Sequence, residues 1–392
     1  MMREKAMANK NFVSIQALQI GHRWFPEFSG GLHRMYYELF HHLPSSGVVT
    51  RGLVAGTDQV GRDSGKAVRA FAAPDAPIPV RGLALRRELR RMISERRPDL
   101  VAAHFALYTF PVLDKLRPYP LVFHFHGPWA QEGRFEGVGS LKVRAKATLE
   151  QIVYRRATHC IVLSDSFRDI LHEDYGVPLE LIYRVPGGVD ADQYDTGLTR
   201  KEARERLGWP QDRPTVFTAR RLVRRMGLET LISAMSEVRR HVPEALLSIA
   251  GKGELFEELG DQVRSLGLED NVELLGFVPE EDLAVAYRAA DLSVVPTVAL
   301  EGFGLVAVES LAAGTPVLVT PVGGLPEVVR ELSENLVLPS SEVGDLAEGI
   351  EAALTGRRDL PDDETCQSYA RTRFDWPVVA AQTRDVYMEA LG

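Results

Sequence analysis

The stretch that decides the fold covers residues 294–329 and reads VVPTVALEGFGLVAVESLAAGTPVLVTPVGGLPEVV. Apolar segments at residues 292–295 and 316–320 have the length of strands, and residues 305–313 between them have the pattern of a helix. A strand, a helix and a second strand in this order are typical of a βαβ unit in a parallel sheet. The sequence therefore predicts an α/β protein.

Two glycines and two glutamates mark the start of that helix. Glu301 precedes the turn that contains Gly302 and Gly304, and Glu309 lies on the helix itself. Glycine lets the backbone approach a ligand closely, and the N–H groups of a helix N-terminus favour an anion. A carboxylate at each end can accept hydrogen bonds from hydroxyls. The spacing fits a nucleotide diphosphate that carries a sugar, and a helix start with two solvated glutamates explains it equally well.

The same alternation of short apolar runs and amphipathic segments continues along the chain. In the first half it predicts strands at residues 12–20, 100–104, 121–125 and 159–163. In the second half it predicts strands at residues 215–219, 245–250, 272–275, 292–295 and 316–320. A loop with Gly30 and Gly31 follows the first strand and leads into an amphipathic helix. Two successive doubly wound domains are expected, because a single sheet of ten or more strands is uncommon.

The charge is distributed unevenly. The 392 residues carry 46 Lys and Arg against 54 Asp and Glu, a net charge of −8, which argues against a nucleic-acid binder. Residues 1–190 nevertheless carry 26 basic and 19 acidic side chains, a net of +7, and the remainder carries 20 and 35, a net of −15. We therefore expect a domain boundary near residue 190 and a first domain that suits an anionic partner or membrane surface.

The cysteine content and hydropathy predict a cytoplasmic protein. Cys160 and Cys366 cannot form a disulfide framework, and no segment has the length and apolarity of a signal peptide or a membrane span. A basic amphipathic helix is predicted between residues 81 and 98, with arginines at Arg81, Arg86, Arg87, Arg90, Arg91, Arg96 and Arg97. Charge runs of this kind are more often a solvated helix face, and the alternative is peripheral contact with the inner membrane face.

The spacing from Glu301 to Glu309 resembles the E-x7-E signature of family 4 glycosyltransferases, which are retaining enzymes of the GT-B fold. Further family-like segments follow in the same order over nearly the whole chain: PEFSGGLHRMYYEL, DLVAAHFA, VFHFHGPW, VLSDSFRDIL, VPGGVDADQY, ARRLVRRMGLETLI, VELLGFVP and AADLSVVPT. The resemblance implies two Rossmann-like domains that face a central cleft. Residues 1–190 plus about 375–392 would bind the acceptor, residues 191–374 would bind the donor, and the C-terminal helix would cross back to the first domain.

The resemblance also implies roles for individual residues. Glu309 would hold the ribose hydroxyls, Glu301 the hydroxyls of the transferred sugar, and Arg221 the diphosphate, while His126 would lie at the reacting sugar. The implied catalytic residues are thus Glu301, His126 and Arg221. The implied donor-binding residues are Gly30, Gly31, Arg221, Arg225, Gly302, Phe303, Gly304, Leu305 and Glu309. The implied activity is transfer of a hexose-type sugar from a UDP- or GDP-sugar, without a metal or another cofactor.

Two positions depart from the family pattern. The lysine expected in the G-R-L-x-x-x-K-G segment falls at Met226, which cannot bind phosphate. Arg224 and Arg225 adjoin it, and we favour Arg225 as the replacement because it is nearer in sequence. The second departure is Gly187, where the family often has asparagine.

The acceptor side carries weaker signals. His104 could face the cleft or simply end a strand, and Trp129 could stack on an acceptor or pack inside the domain. Asp190 and Asp192 have the spacing of a metal-binding pair, but they fall in the linker and do not favour a metal site. Other activities also remain open: a nucleotide-sugar epimerase or a phosphorylase of the same architecture, or a non-catalytic protein that binds nucleotide sugars, for which Met226 is the best support.

Overall fold

The computed structural model describes residues 14–392, so residues 1–13, including the first two residues of the predicted strand 12–20, lie outside the described part. The strands of the first half are β1 (Ile15–Arg23), β2 (Val48–Ala55), β3 (Val68–Ala72), β4 (Leu100–Ala103), β5 (Leu121–Phe125), β6 (His159–Val162) and β7 (Ile182–Arg184). The strands of the second half are β8 (Thr215–Ala219), β9 (Leu246–Ala250), β10 (Val272–Gly276), β11 (Leu292–Val295) and β12 (Val317–Val319).

Helices follow most of these strands. Those of the first half are α1 (Gly31–His42), α2 (Gln59–Asp63), α3 (Ile78–Glu95), α4 (Ala106–Thr109), α5 (Leu113–Leu116), α6 (Trp129–Phe135), α7 (Ser140–Tyr154) and α8 (Asp165–Glu173). Those of the second half are α9 (Ala191–Tyr194), α10 (Arg200–Leu207), α11 (Leu228–His241), α12 (Phe256–Ser265), α13 (Glu280–Ala289), α14 (Leu305–Ala312), α15 (Leu325–Val329), α16 (Val343–Leu354), α17 (Asp363–Phe374) and α18 (Trp376–Leu391).

The described strands form two separate parallel sheets. The first has the order β3-β2-β1-β4-β5-β6-β7 and the second the order β10-β9-β8-β11-β12. Central strands such as β5 and β9 are buried along their whole length, as expected when helices cover both faces of a parallel sheet. The prediction of two doubly wound α/β units is therefore confirmed.

The apolar pattern predicts the central strands better than the edge strands. The predicted segments 121–125, 215–219 and 292–295 have the same bounds as β5, β8 and β11. It does not predict β2, β3 or β7. β2 and β3 contain arginines, and β7 has only three residues and lies at the edge of its sheet.

The last helix returns to the first sheet. In α18 the side chains of Trp376, Val379 and Tyr387 are buried in one core cluster with Ile15 of β1 and Leu100 of β4. This burial of apolar surface attaches the C-terminus to the first unit. The predicted crossing of the C-terminal helix is confirmed.

The two segments that connect the units lie side by side. Val189 and Asp375 form a parallel bridge, so the chain that leaves the first sheet lies beside the chain that returns to it. The N–H of Val189 donates to the carbonyl of Phe374 over 2.8 Å. The domain boundaries near residues 190 and 375 stay predictions.

A glutamate of the second unit also caps a helix of the first. The Glu327 carboxylate on α15 accepts hydrogen bonds from the N–H groups of Asp165 and Ser166, over 2.8 and 3.0 Å. These are the first two residues of α8, whose N–H groups have no partner within the helix. The contact therefore depends on the two units being close together.

The predicted basic helix is α3, and much of its charge is paired. Arg86 lies 2.6 Å from Asp114, Arg87 is paired with Glu88, and Arg91 is paired with Glu95. Within residues 14–392, no helix is both long and apolar enough to span a bilayer. Peripheral membrane contact through α3 stays a prediction.

Candidate active site

The candidate site lies at the point where the strand order of the second sheet reverses. In the described order, β8 pairs with β9 on one side and with β11 on the other. Loops that leave two such strands diverge and open a crevice at the carboxyl edge of the sheet, which is where ligands bind in open α/β folds. Here the crevice is bounded by residues 220–227 after β8 and residues 296–304 after β11.

A buried ion pair joins these two loops. The Arg220 guanidinium lies 2.6 Å from the Glu301 carboxylate and also donates to the hydroxyl of Thr297. Burial is the largest single influence and raises the pKa of Glu301, but the charge and hydrogen bond of Arg220, with smaller effects of Arg225 and the Phe303 N–H, together outweigh it, so the pKa lies below the ordinary value. Glu301 is therefore ionised and can accept hydrogen bonds from a ligand.

Arg220 also occupies the space beside Met226. Its Nη2 atom lies 2.7 Å from the Met226 sulfur, and its Nε atom is buried without a hydrogen-bond partner among the described residues. Met226 is itself buried, in a short 3-10 turn that spans Arg224–Met226. A guanidinium thus lies next to the position at which the family resemblance places a lysine.

The two arginines next to Met226 differ in their surroundings. Arg225 is buried, donates to the carbonyl of Leu300 over 3.0 Å and lies 3.4 Å from the Glu132 carboxylate of the first unit. The Arg224 side chain is 66% exposed and pairs with Glu258 at the surface. Of the two, only Arg225 points toward the cleft.

Arg221 is another exposed cation of the same loop. It follows Arg220 directly, and within residues 14–392 its side chain makes no hydrogen bond or ion pair. Burial lowers the pKa of His33 in the first unit, and the charge of Arg221 adds a smaller effect in the same direction. Arg221 therefore lies close enough to the first unit to act on His33. Its guanidinium is free to bind an anion.

The glycine turn before α14 is packed closely against the first unit. A methyl group added to Gly302 would meet the Phe167 ring at 2.3 Å, so a side chain does not fit. Gly304 has a φ of 87°, in the left-handed region that favours glycine, and it forms the N-cap of α14. Both glycines are therefore required by geometry at the start of α14.

Phe303 and Leu305, which belong to the same segment, pack against the linker. Phe303 is buried, and its ring lies 5.5 Å from that of Phe374. A side chain at Gly187 would come within 2.8 Å of both Phe303 and Leu305. The departure at Gly187 therefore has a structural cause, since the linker passes directly over the side chains of the glycine turn.

Glu309 is buried and contacts both units. Its carboxylate accepts hydrogen bonds from Arg34 of α1 over 3.1 Å and from the hydroxyl of Tyr287 over 3.3 Å. Arg34 also lies 2.9 Å from Glu280. Burial raises the pKa of Glu309 more than the charge of Arg34 lowers it, so its pKa lies above the ordinary value.

The glycine loop of the first unit faces the glycine turn before α14. Gly30 has a φ of 132°, and a methyl group added to Gly31 would lie 3.6 Å from the side chain of Leu305. The two glycine-containing turns, which are 271 positions apart between Gly31 and Gly302, are thus brought together across the cleft.

Three histidines stack at the carboxyl ends of β4 and β5. Nδ1 of His104 lies 3.0 Å from Nε2 of His126, and His124 contacts the hydroxyl of Tyr387 over 2.9 Å. Burial, with a smaller contribution from His33, lowers the pKa of His126 to about 3, and burial also lowers the pKa of His104. The rings are therefore neutral, and the buried Nδ1 of His126 has no partner among the described residues.

The backbone of Trp129 is held by a hydrogen bond, and the Lys146 side chain covers one face of its indole ring. Its N–H donates to the buried Glu150 carboxylate over 2.8 Å, and the Lys146 ammonium lies 4.3 Å from its ring centroid. Its ring also contacts that of Phe105 edge to face. These contacts favour packing within the first unit over stacking on an acceptor, and a role in acceptor binding stays a prediction.

The sequence-based prediction missed Arg220 and Arg34. Arg220 adjoins the predicted Arg221 directly after a predicted strand, so the pair of arginines was an available signal. Arg34 has no such signal, because its contact with Glu309 joins residues 275 positions apart. In the part of the chain that the structure describes, no group of His, Cys, Asp or Glu side chains could hold a metal ion.

The fold and the site define a glycosyltransferase of the two-domain GT-B class. Residues 29–193 match the family described as Glycosyltransferase Family 4, and residues 199–373 match the family described as Glycosyl transferases group 1. The chain is 30% identical over 270 residues to an uncharacterised glycosyltransferase of Methanocaldococcus jannaschii, covering 66% of this chain and 68% of the relative. The chain belongs to the family 4 glycosyltransferases, and the resemblance seen in its sequence is confirmed.

Two further proteins illustrate the range of this similarity. Mannosylfructose-phosphate synthase of Agrobacterium fabrum is 38% identical over 186 residues, which cover 45% of this chain and 40% of that protein. The crystal structure of Anabaena HepE in complex with UDP-glucose has a TM-score of 0.77 and 21% identity, covering 96% of this chain and all of that one. At this identity the likeness to HepE shows the shared fold.

Proposed function

We propose that the protein transfers a hexose-type sugar from a UDP- or GDP-sugar to an acceptor hydroxyl, with retention of configuration at the anomeric carbon. The observation that carries this proposal is the buried Arg220–Glu301 pair at the mouth of the crevice, directly before the glycine turn and the N-terminus of α14. An ionised carboxylate beside fixed cations and oriented N–H groups suits a sugar joined to a diphosphate.

The leaving diphosphate gains negative charge as the sugar departs. Arg221, Arg225 and the first N–H groups of α14 would lie around it, and the contacts of Arg225 with Leu300 and Glu132 and the helical backbone hold the latter two in place. Groups fixed in this way stabilise the transition state more than the ground state. HepE, whose structure holds UDP-glucose, supports a uridine nucleotide as the first donor to test.

Arg220 is our candidate for the charge that the family pattern places at Met226. Its guanidinium touches the Met226 sulfur and Glu301 at once, whereas Arg225 is directed to Leu300 and Glu132. Arginine can bind a phosphate oxygen and a carboxylate together through its planar fork. In this proposal Arg220 and Arg225 together supply the charge, with Arg220 placed beside Glu301.

Glu309 and Glu301 would hold the two sugars of the donor. Glu309 would accept hydrogen bonds from ribose hydroxyls, in exchange for part of its contact with Arg34. Glu301 would accept them from the transferred sugar. Neither acts as the acid or base of a glycosidase pair, since the proposed reaction places the acceptor proton on the departing phosphate oxygen.

His126 would act as a neutral contact. With a pKa near 3 it carries no charge at physiological pH, so it can donate one hydrogen bond and accept another. Its contact with His104 uses one ring nitrogen and leaves Nδ1 for the sugar. His104 is thereby a positioning residue for His126 in this proposal.

The test is a donor screen followed by product analysis. Purified protein is mixed with radiolabelled UDP- and GDP-hexoses, with and without EDTA, and nucleotide release is measured alone and with an acceptor panel. We expect one donor to bind and to be hydrolysed slowly, transfer to be unaffected by EDTA, and NMR of the product to show the anomeric configuration of the donor. Absence of binding to every nucleotide sugar, or an inverted product, would contradict the proposal.

A further inference from the structure

Two arginines at the carboxyl edge of the first sheet have no carboxylate partner. Arg23 ends β1, and Arg81 lies in the first turn of α3. Both are half-buried, and within residues 14–392 neither lies within ion-pair distance of an Asp or Glu. The Nε atom of each is buried without a hydrogen-bond partner in the same part of the chain.

The two arginines belong to one small surface. Arg81 donates a hydrogen bond to the hydroxyl of Tyr108, and the Tyr108 ring lies 5.6 Å from the ring of His22. His22 adjoins Arg23 in β1, and the guanidinium of Arg23 lies 4.4 Å from the ring of Phe28. Both arginines also contribute to lowering the pKa of His22, so both guanidinium groups lie near its ring. We call this surface the Arg23–Arg81 pocket.

The Arg23–Arg81 pocket adjoins the place where transfer would occur. Nδ1 of His22 lies 3.0 Å from Nε2 of His33, which is two residues after Gly31 on α1. Gly31 in turn faces Leu305 of the donor loop at 3.6 Å. The pocket is thus on the first-domain side of the cleft, beside the sugar end of the donor site.

The charge of this pocket is unbalanced. Guanidinium groups that have no carboxylate partner gain charge-assisted hydrogen bonds when an anion arrives. Burial, His33 and the two guanidinium groups together lower the pKa of His22 to about 3, so His22 adds no charge of its own. The rings that contact the two arginines, those of Phe28 and Tyr108, carry no negative charge.

The two guanidinium groups indicate which kind of anion would balance their charge. A phosphomonoester carries about −1.5 to −2 charges at pH 7 and three strong acceptor oxygens. Two guanidinium forks can hold it through several charge-assisted hydrogen bonds. A single carboxylate would balance only one of the two arginines.

We propose that Arg23 and Arg81 bind a phosphomonoester group of the acceptor and so orient its hydroxyl toward the donor sugar. The proposal rests on the proposed function and narrows the acceptor to phosphorylated sugars or polyols. Tyr108 acts in it as a positioning residue for Arg81.

The test measures acceptor binding to protein saturated with UDP, or with the nucleoside diphosphate that the donor screen identifies. Calorimetry compares glucose 6-phosphate, fructose 6-phosphate and glycerol 3-phosphate with glucose, fructose, glycerol and glucuronate. We expect at least one phosphate to bind at least about tenfold more tightly than its uncharged counterpart.

Substitutions then locate the binding. Arg23→Gln and Arg81→Gln should each weaken phosphate binding about 10- to 100-fold, as expected for loss of a charge-assisted hydrogen bond. Arg81→Lys should retain part of the affinity. The matched control is Arg87→Gln on the same helix, whose side chain is 77% exposed, and it should leave phosphate binding unchanged.

The outcomes separate this proposal from the proposed function. If no nucleotide binds at all, the proposed function fails. If the nucleotide binds but none of the three phosphates does, the phosphomonoester site is overturned and the proposed function stands. Tighter binding of glucuronate, or unchanged phosphate affinity in both glutamine variants, also overturns the site.

Discussion

The two edges of the cleft hold their charges in different ways. On the edge of the second sheet, Arg220 is paired with Glu301. On the edge of the first sheet, Arg23 and Arg81 have no carboxylate partner among residues 14–392. The charges on the second-sheet edge are thus balanced within the protein, and the two arginines on the first-sheet edge are not.

This difference indicates that the two edges would contribute differently to the reaction. Paired charges cost little to hold in place and are ready to act on a leaving group. Unpaired cations gain most when an anion arrives, which favours selection among acceptors. Substitutions on the edge of the second sheet, where we propose that the donor binds, should therefore alter turnover. Substitutions on the edge of the first sheet, where we propose that the acceptor binds, should alter the choice of acceptor.

The largest effect is expected at Glu301. Glu301→Gln removes the charge that Arg220 faces and a hydrogen-bond acceptor for the transferred sugar. We expect kcat to fall about 10²- to 10³-fold, as for loss of one preorganised polar group in an active site. Steady-state kinetics with the identified donor measure it.

Glu258→Gln is the matched control, because Glu258 also pairs with an arginine but at the surface. Its kcat should stay near that of the wild type. Equal losses in the two variants would show that the site does not depend on Glu301 in particular.

Arg225 and Arg224 provide a second, adjacent comparison. Arg225→Gln removes a buried cation that faces the cleft, and we expect about a 10- to 100-fold loss in kcat/KM. Arg224→Gln affects an exposed pair and should change kcat/KM by no more than about twofold. A larger loss for Arg224→Gln than for Arg225→Gln would reverse the assignment.

Gly302→Ala tests the close contact between the two edges. The new methyl group would lie 2.3 Å from the Phe167 ring, so the glycine turn or the ring must move. Overpacking of this kind costs about 1–3 kcal/mol, and we expect a lower Tm with about tenfold weaker donor binding. Thermal unfolding and calorimetry measure the two effects.

Gly344→Ala serves as its control, since a methyl group there meets no atom within 4 Å. That variant should keep both the Tm and the donor affinity of the wild type. Unchanged donor binding in Gly302→Ala would contradict a tight fit between the glycine turn and the ligand.

The smallest effect concerns pH and Glu309. Its raised pKa means that protonation begins above the ordinary value of 4.5. Because ribose hydroxyls need the ionised carboxylate as acceptor, donor affinity should fall as the pH decreases through this raised pKa, by less than about tenfold per pH unit. Calorimetry from neutral pH downward should show the decrease in the wild type and its absence in Glu309→Gln.

The sequence predicted the local features of the fold well. Mostly apolar runs such as Leu121–Phe125, in which His124 is the one polar residue, identify central parallel strands, because both faces are buried. β2 and β7 are harder to identify, since β2 contains Arg51 and β7 has only three residues. Their places in the sheet come from long-range pairing, which a local pattern does not encode.

The candidate site shows the same limit. Glu301 and Glu309 lie on one turn and the helix that follows it, so a local pattern is enough to select them as candidates. Glu309 pairs with Arg34 of α1 in the first unit, and the guanidinium beside Met226 comes from Arg220, six positions earlier in the same loop. The first contact depends on how the two units meet and the second on how the loop folds, and a local pattern encodes neither contact.

The cap that Glu327 provides for α8 also makes the closure of the cleft observable. When the two units separate, the N–H groups of Asp165 and Ser166 lose their carboxylate partner and become open to solvent exchange. The rate at which these two amides exchange with deuterium then reports how often the cleft opens. These two backbone amides can therefore be used to measure cleft opening without a label and without a known acceptor.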